Sequence, residues 1–119
     1  MLVLVIEPNK TPYMKKIKDS YKDTKEIVGG YIEAIRLRED IVMWLNEEGK
    51  LIPLEPNIAM VHDEELVDIV MGNVVIAGVN EEGDTIGLTD EMLSYISKIL
   101  GGVETNRGPL HAIFLEPLL

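Results

Sequence analysis

The stretch Trp44-Leu-Asn-Glu-Glu-Gly-Lys-Leu51 contains Asn-Glu-Glu-Gly, and the same four residues return in Gly78-Val-Asn-Glu-Glu-Gly-Asp-Thr85. Read as acidic sites, the two copies describe a metal- or phosphate-handling protein. Read as turns, they describe a domain built on strands. The flanks favour turns, because apolar arms at residues 41–45 and 51–54 enclose the first copy and arms at 74–79 and 85–88 enclose the second. Each copy suits a type I turn whose last residue, glycine, supplies the left-handed conformation that closes a hairpin with a bulge. Ile41 aligns with Val75, Val42 with Ile76, Ile52 with Ile86 and Leu54 with Leu88, a pattern that two similar hairpins share. Pro53 and Pro56 end the second arm of the first copy quickly or place it at a sheet edge.

A calcium loop fits less well. From Asn80, the residues Asn80, Glu82, Asp84 and Glu91 fall at the first, third, fifth and twelfth places of an EF-hand. Thr85 stands where that loop needs glycine, and a strand precedes it rather than a helix. The first copy has Lys50 where the second has Asp84. No metal ligands are assigned, and no cofactor is expected.

Working outward, residues 2–6 are a short Val/Ile-rich run, read as a buried strand. Thr11-Pro12 resembles an N-cap followed by proline at the first helical position, which predicts a helix over 11–22 with Met14, Ile17 and Tyr21 on one face. Gly29-Gly30 stops any helical continuation, and residues 31–37 follow as a strand. Residues 63–71 read as a short helix, with Asp63 as N-cap, Glu64 and Glu65 in the first turn and Gly72 as the stop. Thr89 caps a helix over 90–100 with Met92, Ile96 and Ile99 on one face and Gly101-Gly102 as its stop. The expected fold is therefore α+β: a small mixed or antiparallel sheet with two β-hairpins packed against two or three short helices. At 119 residues it is one domain, 1–119, with 103–119 as an apolar C-terminal extension.

The net charge of −10 is unevenly distributed. Residues 1–38 carry eight Lys/Arg against five Asp/Glu, whereas residues 39–91 carry Lys50 alone against fourteen acids. That asymmetry suits a charged partner and argues against direct nucleic-acid binding. No run approaches a membrane span, the opening residues lack the basic region of a signal peptide, and there is no cysteine. A cytoplasmic protein is expected. If the chain is phage-encoded, the expected compartment is the host cytoplasm.

No nucleophile elbow, phosphate loop or dinucleotide fingerprint is present, so no catalytic residue is assigned. The lysine-rich segment offers Lys15, Lys18 and Lys22 for an anion, beside Gly29, Gly30, Tyr31 and Trp44 as the lining of a small ligand site. The acidic pairs Glu47-Glu48, Glu64-Glu65 and Glu81-Glu82 offer themselves to a protein partner. The residues His62-Asp63-Glu64-Glu65 put imidazole and carboxylates together, which leaves a carboxylate-dependent nucleotide hydrolase using Asp63 and Glu65 as the rival reading. The apolar tail, with Ile113, Phe114, Leu115, Leu118 and Leu119, needs a cover: either its own core or a second subunit in a homodimer.

Taken in order, Val28-Gly-Gly-Tyr-Ile-Glu33, Asn46-Glu-Glu-Gly-Lys-Leu51, Pro56-Asn57, Gly72-Asn-Val-Val-Ile76 and Gly87-Leu-Thr-Asp-Glu91 resemble family 3846 among domains of unknown function, over about residues 2–100. The resemblance implies a context in bacteria, phages and other mobile elements, some of them near antirestriction functions. It supplies no reaction and no catalytic residues. The expected function is that of a phage- or mobile-element-type accessory protein acting by binding. Such a protein would counter host immunity by sequestering a small nucleotide signal or by inhibiting a host defence protein.

Overall fold

The computed structural model describes residues 1–106 and 108–115. The Val/Ile run Leu2–Ile6 forms β1, as its composition predicts. Thr11-Pro12 does not open a helix. The chain turns back and lays Tyr13–Lys16 (β2) antiparallel along β1, and only then forms the helix Ser20–Val28 (α1). Asp19 is its N-cap, accepting from Lys22 N at 3.0 Å. The physical reason is the edge of β1, whose backbone groups β2 pairs and a helix would leave open. The predicted Met14/Ile17/Tyr21 face consequently does not exist: Ile17 is buried, while Met14 and Tyr21 are exposed. Gly29 ends α1 as expected, in the left-handed conformation (φ 81°), with its N–H donating to Lys25 O.

Next come β3 (Ile32–Arg38) and β4 (Ile41–Asn46), an antiparallel pair. The first Asn-Glu-Glu-Gly then departs from expectation. Residues 47–53 form consecutive turns, no returning arm pairs with β4, and Gly49 is not in the left-handed region. The strand β5 (Pro56–His62) pairs antiparallel with β6 (Glu65–Met71), where a helix was expected over 63–71. Asp63 and Glu64 both have positive φ (49° and 66°) and make a two-residue hairpin of the primed kind. An acidic start and a terminal glycine imitate helix capping, but Val67, Ile69 and Val70 are β-branched and the edge of β5 is available to them.

The second copy does close a hairpin. β7 (Val74–Val79) pairs Gly78 with Ile86 and Val79 with Thr85 of β8 (Thr85–Ile86), and Gly83 takes φ 86°. Thr89 caps α2 (Asp90–Ile99), accepting from Met92 N at 3.2 Å. Gly101-Gly102 is not a stop, because the chain passes straight into β9 (Leu100–Thr105) and returns as β10 (Gly108–Leu115). Gly101 is small for a packing reason: a Cβ there would sit 3.1 Å from the Phe114 ring.

Two sheets result, so the α+β class holds, with more strand and less helix than the sequence suggests. One runs β2-β1-β7-β4-β3, with β8 also paired to β7; the other runs β6-β5-β10-β9. The β5–β10 pair is parallel and the other pairs are antiparallel, a mixed arrangement. β7 is buried along its whole length because both faces of the first sheet are covered. Leu4, Ile6, Met43 and Ile76 face the second sheet, where they meet Ile58, Met60, Val70 and Ile113, with Met92, Ile96 and Ile99 of α2 completing that core. Val3, Val5, Val42, Val75 and Ala77 face the other way and are covered by α1 through Val28 and by Ile17. Each such fully buried Val or Ile contributes about 1.5–3 kcal/mol. Asn57, itself buried, ties the sheets by donating from Nδ2 to Ile6 O (2.8 Å) and Gly72 O (2.7 Å).

The C-terminal segment enters the middle of the second sheet. β10 lies between β5 and β9, and Ile113 is 1% exposed inside the core. Phe114 is exposed, and Leu118 and Leu119 lie outside the described residues. No helix of the described residues is long and apolar enough to cross a membrane.

Candidate functional site

The site grows from the register of α1. Because the helix starts at Ser20, Tyr21, Lys25 and Gly29 follow one another at four-residue spacing and form one outward stripe, with Lys22 and Glu26 alongside. Tyr21, Lys22, Lys25, Glu26, Gly29 and Gly30 line an open concavity of about 420 Å³. Tyr31 stands at its margin, where the Lys25 ammonium lies 4.4 Å from the centre of the Tyr31 ring and 5.8 Å from that of Tyr21. Both rings are unusually open for tyrosines, at 61% and 58% exposure.

The first Asn-Glu-Glu-Gly is the support beneath this surface. Asn46 is 4% exposed; its Nδ2 donates to Val28 O at 3.1 Å and its Oδ1 accepts from Glu48 N at 2.8 Å. Glu47 N donates to Tyr31 O at 2.9 Å. A Cβ on Gly30 would lie 2.9 Å from Asn46 Nδ2, so glycine is what lets the asparagine reach the helix end. The turn therefore pins the C-terminus of α1 and the backbone of Tyr31 together. The backbone N–H groups of Gly29 and Gly30 both donate to Lys25 O, so they are not free to cradle a phosphate.

Of the residues singled out in the sequence, Lys22, Gly29, Gly30 and Tyr31 are brought together. Lys15 lies on β2 opposite Val3, and Lys18 precedes the helix, so both widen the basic surface without lining the concavity. Trp44 sits on the same face of the first sheet but packs against the core under α1. Lys25 was not singled out; a helix placed at 11–22 hides its alignment with Tyr21 and Gly29. Asp23 lies within this basic surface, its carboxyl held below the usual range by the backbone N–H groups of Lys18 and Asp19 at 2.9 and 3.1 Å.

The acidic pairs are not one patch. Glu47-Glu48 follow β4, Glu81-Glu82 follow β7, and these antiparallel neighbours put their C-terminal ends at opposite ends of the sheet. Glu64-Glu65 belong to the β5–β6 turn of the other sheet. A further concavity of about 510 Å³ beside the second turn is lined by Arg36, Arg38, Asp40, Asn80 and Glu81 among others. Its cationic groups are engaged already. Arg38 is bidentate to Glu91 and paired with Asp40 (Nε to Oδ1, 2.6 Å), and it stacks 4.7 Å over Tyr95, while Arg36 Nη1 donates to Glu39 O. The guanidinium of Arg38 holds both carboxyls below their ordinary values.

His62 Nδ1 lies 3.5 Å from Asp63 Oδ2 on an exposed turn. Among the described residues, no group of three or more His, Asp or Glu side chains is placed to hold a metal ion. In the second turn Asn80 Oδ1 accepts from Asp84 N, a turn-closing bond.

Comparisons with curated proteins and with solved structures return no match. The family model described as Domain of unknown function (DUF3846) matches residues 1–101. Its boundary falls just inside β9, so β10 and most of β9 lie beyond it. With most of its length covered by that model, the chain belongs to the DUF3846 family.

Proposed function

We propose that this protein acts by binding, and that it takes up a small nucleotide on the outer surface of α1. The observation that carries this reading is the concavity that Tyr21, Lys22, Lys25, Glu26, Gly29 and Gly30 line, with Lys25 also lying over the Tyr31 ring at its margin. Aromatic faces stack on bases regardless of their identity, and ammonium groups pair with phosphates, so the combination suits a flat ring carrying negative charge. It stands out on a chain whose net charge is −10.

The biological role we propose is that of an accessory protein of phages or other mobile elements, which sequesters a host defence signal or blocks a host protein. The family context motivates that role. A nucleotide panel, including cyclic dinucleotides, tests it: the protein should deplete a ligand from solution and return it unchanged on denaturation. Recovery of neither a nucleotide nor a co-purifying host protein from defence-activated cells rejects the binding reading.

The rival is a carboxylate-dependent nucleotide hydrolase at His62, Asp63 and Glu65, supported by the His62–Asp63 contact. Metal-dependent turnover abolished by Asp63→Asn or Glu65→Gln would establish it, and absence of turnover ends it. Among the described residues of the C-terminal segment, a homodimer would use Phe114, because Ile113 faces the core. A solution mass of one chain, unchanged by Phe114→Glu, rejects that assembly.

A further inference from the structure

We propose that Lys25 is the resident occupant of the slot between Tyr21 and Tyr31. A nucleotide base displaces it by stacking there, and the released ammonium joins Lys22 on the phosphate. This rests on the reading of the α1 surface as a nucleotide site and adds an order of events and an orientation to it.

The geometry carries the exchange. The Lys25 ammonium is 4.4 Å from one ring centre and 5.8 Å from the other, so the two rings stand no farther apart than the sum of those distances. The position the ammonium holds is within reach of both rings, which is where a planar group would stack in its stead. Among the described residues, no carboxylate lies within ion-pair distance of Lys25 Nζ, although Glu26 is next to it in sequence and lines the same concavity. The ammonium lies against the two rings instead. A cation over an exposed ring is held weakly, more weakly than a stacked base, while an ammonium gains a stronger, charge-assisted partner in a phosphate. Base and lysine exchange places, and each finds a better contact than it leaves.

Polarity of the helix sets the direction. Gly29-Gly30 is the C-terminal end of α1, where the last carbonyls disfavour an anion. The phosphate therefore points back along the helix toward Lys22 and Lys18, and the base covers Tyr31 and the glycines. A Cβ on Gly29 would meet nothing within 4 Å, so the floor is open on that side.

Equilibrium titration of AMP, GMP and UMP and of their uncharged nucleosides, into wild type, Lys25→Ala and Tyr31→Ala, tests the exchange. Tyr31 is exposed and Lys25 half-buried, and far-UV circular dichroism verifies that both variants fold. Wild type should prefer each nucleotide to its nucleoside by about tenfold or more. Lys25→Ala should bind nucleosides about threefold or more tighter, because the slot is vacated, and bind nucleotides weaker by a similar factor, because a phosphate contact is lost. Tyr31→Ala should weaken both classes. If Lys25→Ala weakens nucleosides and nucleotides alike, or leaves both unchanged, the exchange is wrong while the binding reading survives. If wild type binds none of the six, the exchange is overturned, and the cyclic-dinucleotide panel tests the binding reading on its own. If decathymidylate binds more than tenfold tighter than UMP, the occupant is a single strand and the small-nucleotide assignment is overturned.

Discussion

The two Asn-Glu-Glu-Gly turns share four residues and do different work. In the first, Asn46 points inward, is nearly inaccessible and joins the end of α1 to the turn, so the turn holds up the Tyr31 side of the candidate site. In the second, the corresponding Asn80 is half-buried and, among the described residues, bonds its own loop, through Oδ1 to Asp84 N and through its backbone to Gly83 and Asp84. Bracing there comes from outside, where Arg38 links the β3–β4 turn to α2 through Asp40 and Glu91. A turn motif defines a local backbone path; what lies over it decides whether its side chains become structural.

The sharpest way to break this comparison is to remove each asparagine. Asn46→Ala leaves the buried Val28 O without its donor, removes the acceptor of the part-buried Glu48 N, and should destabilise by about 2–3 kcal/mol. Asn80→Ala should cost about 0.5–1 kcal/mol. Urea midpoints measure both, and equal losses would erase the distinction. Asn46→Ala should also weaken ligand uptake at α1 under conditions where it remains folded, whereas Asn80→Ala should not.

The glycines should fail for opposite reasons. Gly49→Ala places a Cβ 3.2 Å from Met71 O and 3.3 Å from Asn46 O, backbone atoms that cannot rotate away, and should cost about 1–3 kcal/mol. Gly83→Ala meets open space but must hold φ 86°, a cost of about 1 kcal/mol. Substituting asparagine, which tolerates the left-handed region, should recover much of the loss at 83 and none at 49.

Acid should distinguish the braces of the two turns. The carboxyls of Asp40 and Glu91 are depressed in the folded state by Arg38, so their contribution is present above the unfolded values near 4 and is lost as pH falls through the folded ones. Wild type should therefore lose stability as pH falls below about 5, and Glu91→Gln should start lower at neutral pH and lose less. An unchanged slope in Glu91→Gln rejects the brace. The smallest effect belongs to the first turn's ion pair. Lys50 and Asp68 are both largely exposed, so Lys50→Ala should change stability by less than about 0.5 kcal/mol, and high salt should remove even that.

Much of the fold was legible before the structure. The strands near 2–6, 31–37 and 74–79, the Thr89-capped helix and the α+β class follow from local apolar patterning and capping. Two assignments failed for one reason. Residues 13–16 and 65–71 carry helix-like start signals, yet each lies beside a strand with an unpaired edge, and pairing with that edge outweighs a weak local preference. The start of α1 also decides the site: a helix over 11–22 leaves Lys22, Gly29, Gly30 and Tyr31 legible as neighbours, whereas Lys25 joins them only when the helix begins at Ser20.

From the sequence alone came the charge asymmetry, the family, the end of α1 at Gly29, the Thr89-capped start of α2, and the chemistry available near residues 15–31. These depend on residue identity and on neighbours a few positions away. Only the tertiary structure decided that α1 begins at Ser20, that the first Asn-Glu-Glu-Gly supports a surface instead of closing a hairpin, and that residues 108–115 are a central strand. Each of those outcomes depends on which backbone edge and which apolar face happen to be unfilled, a property of the assembled sheets that no single stretch of chain contains.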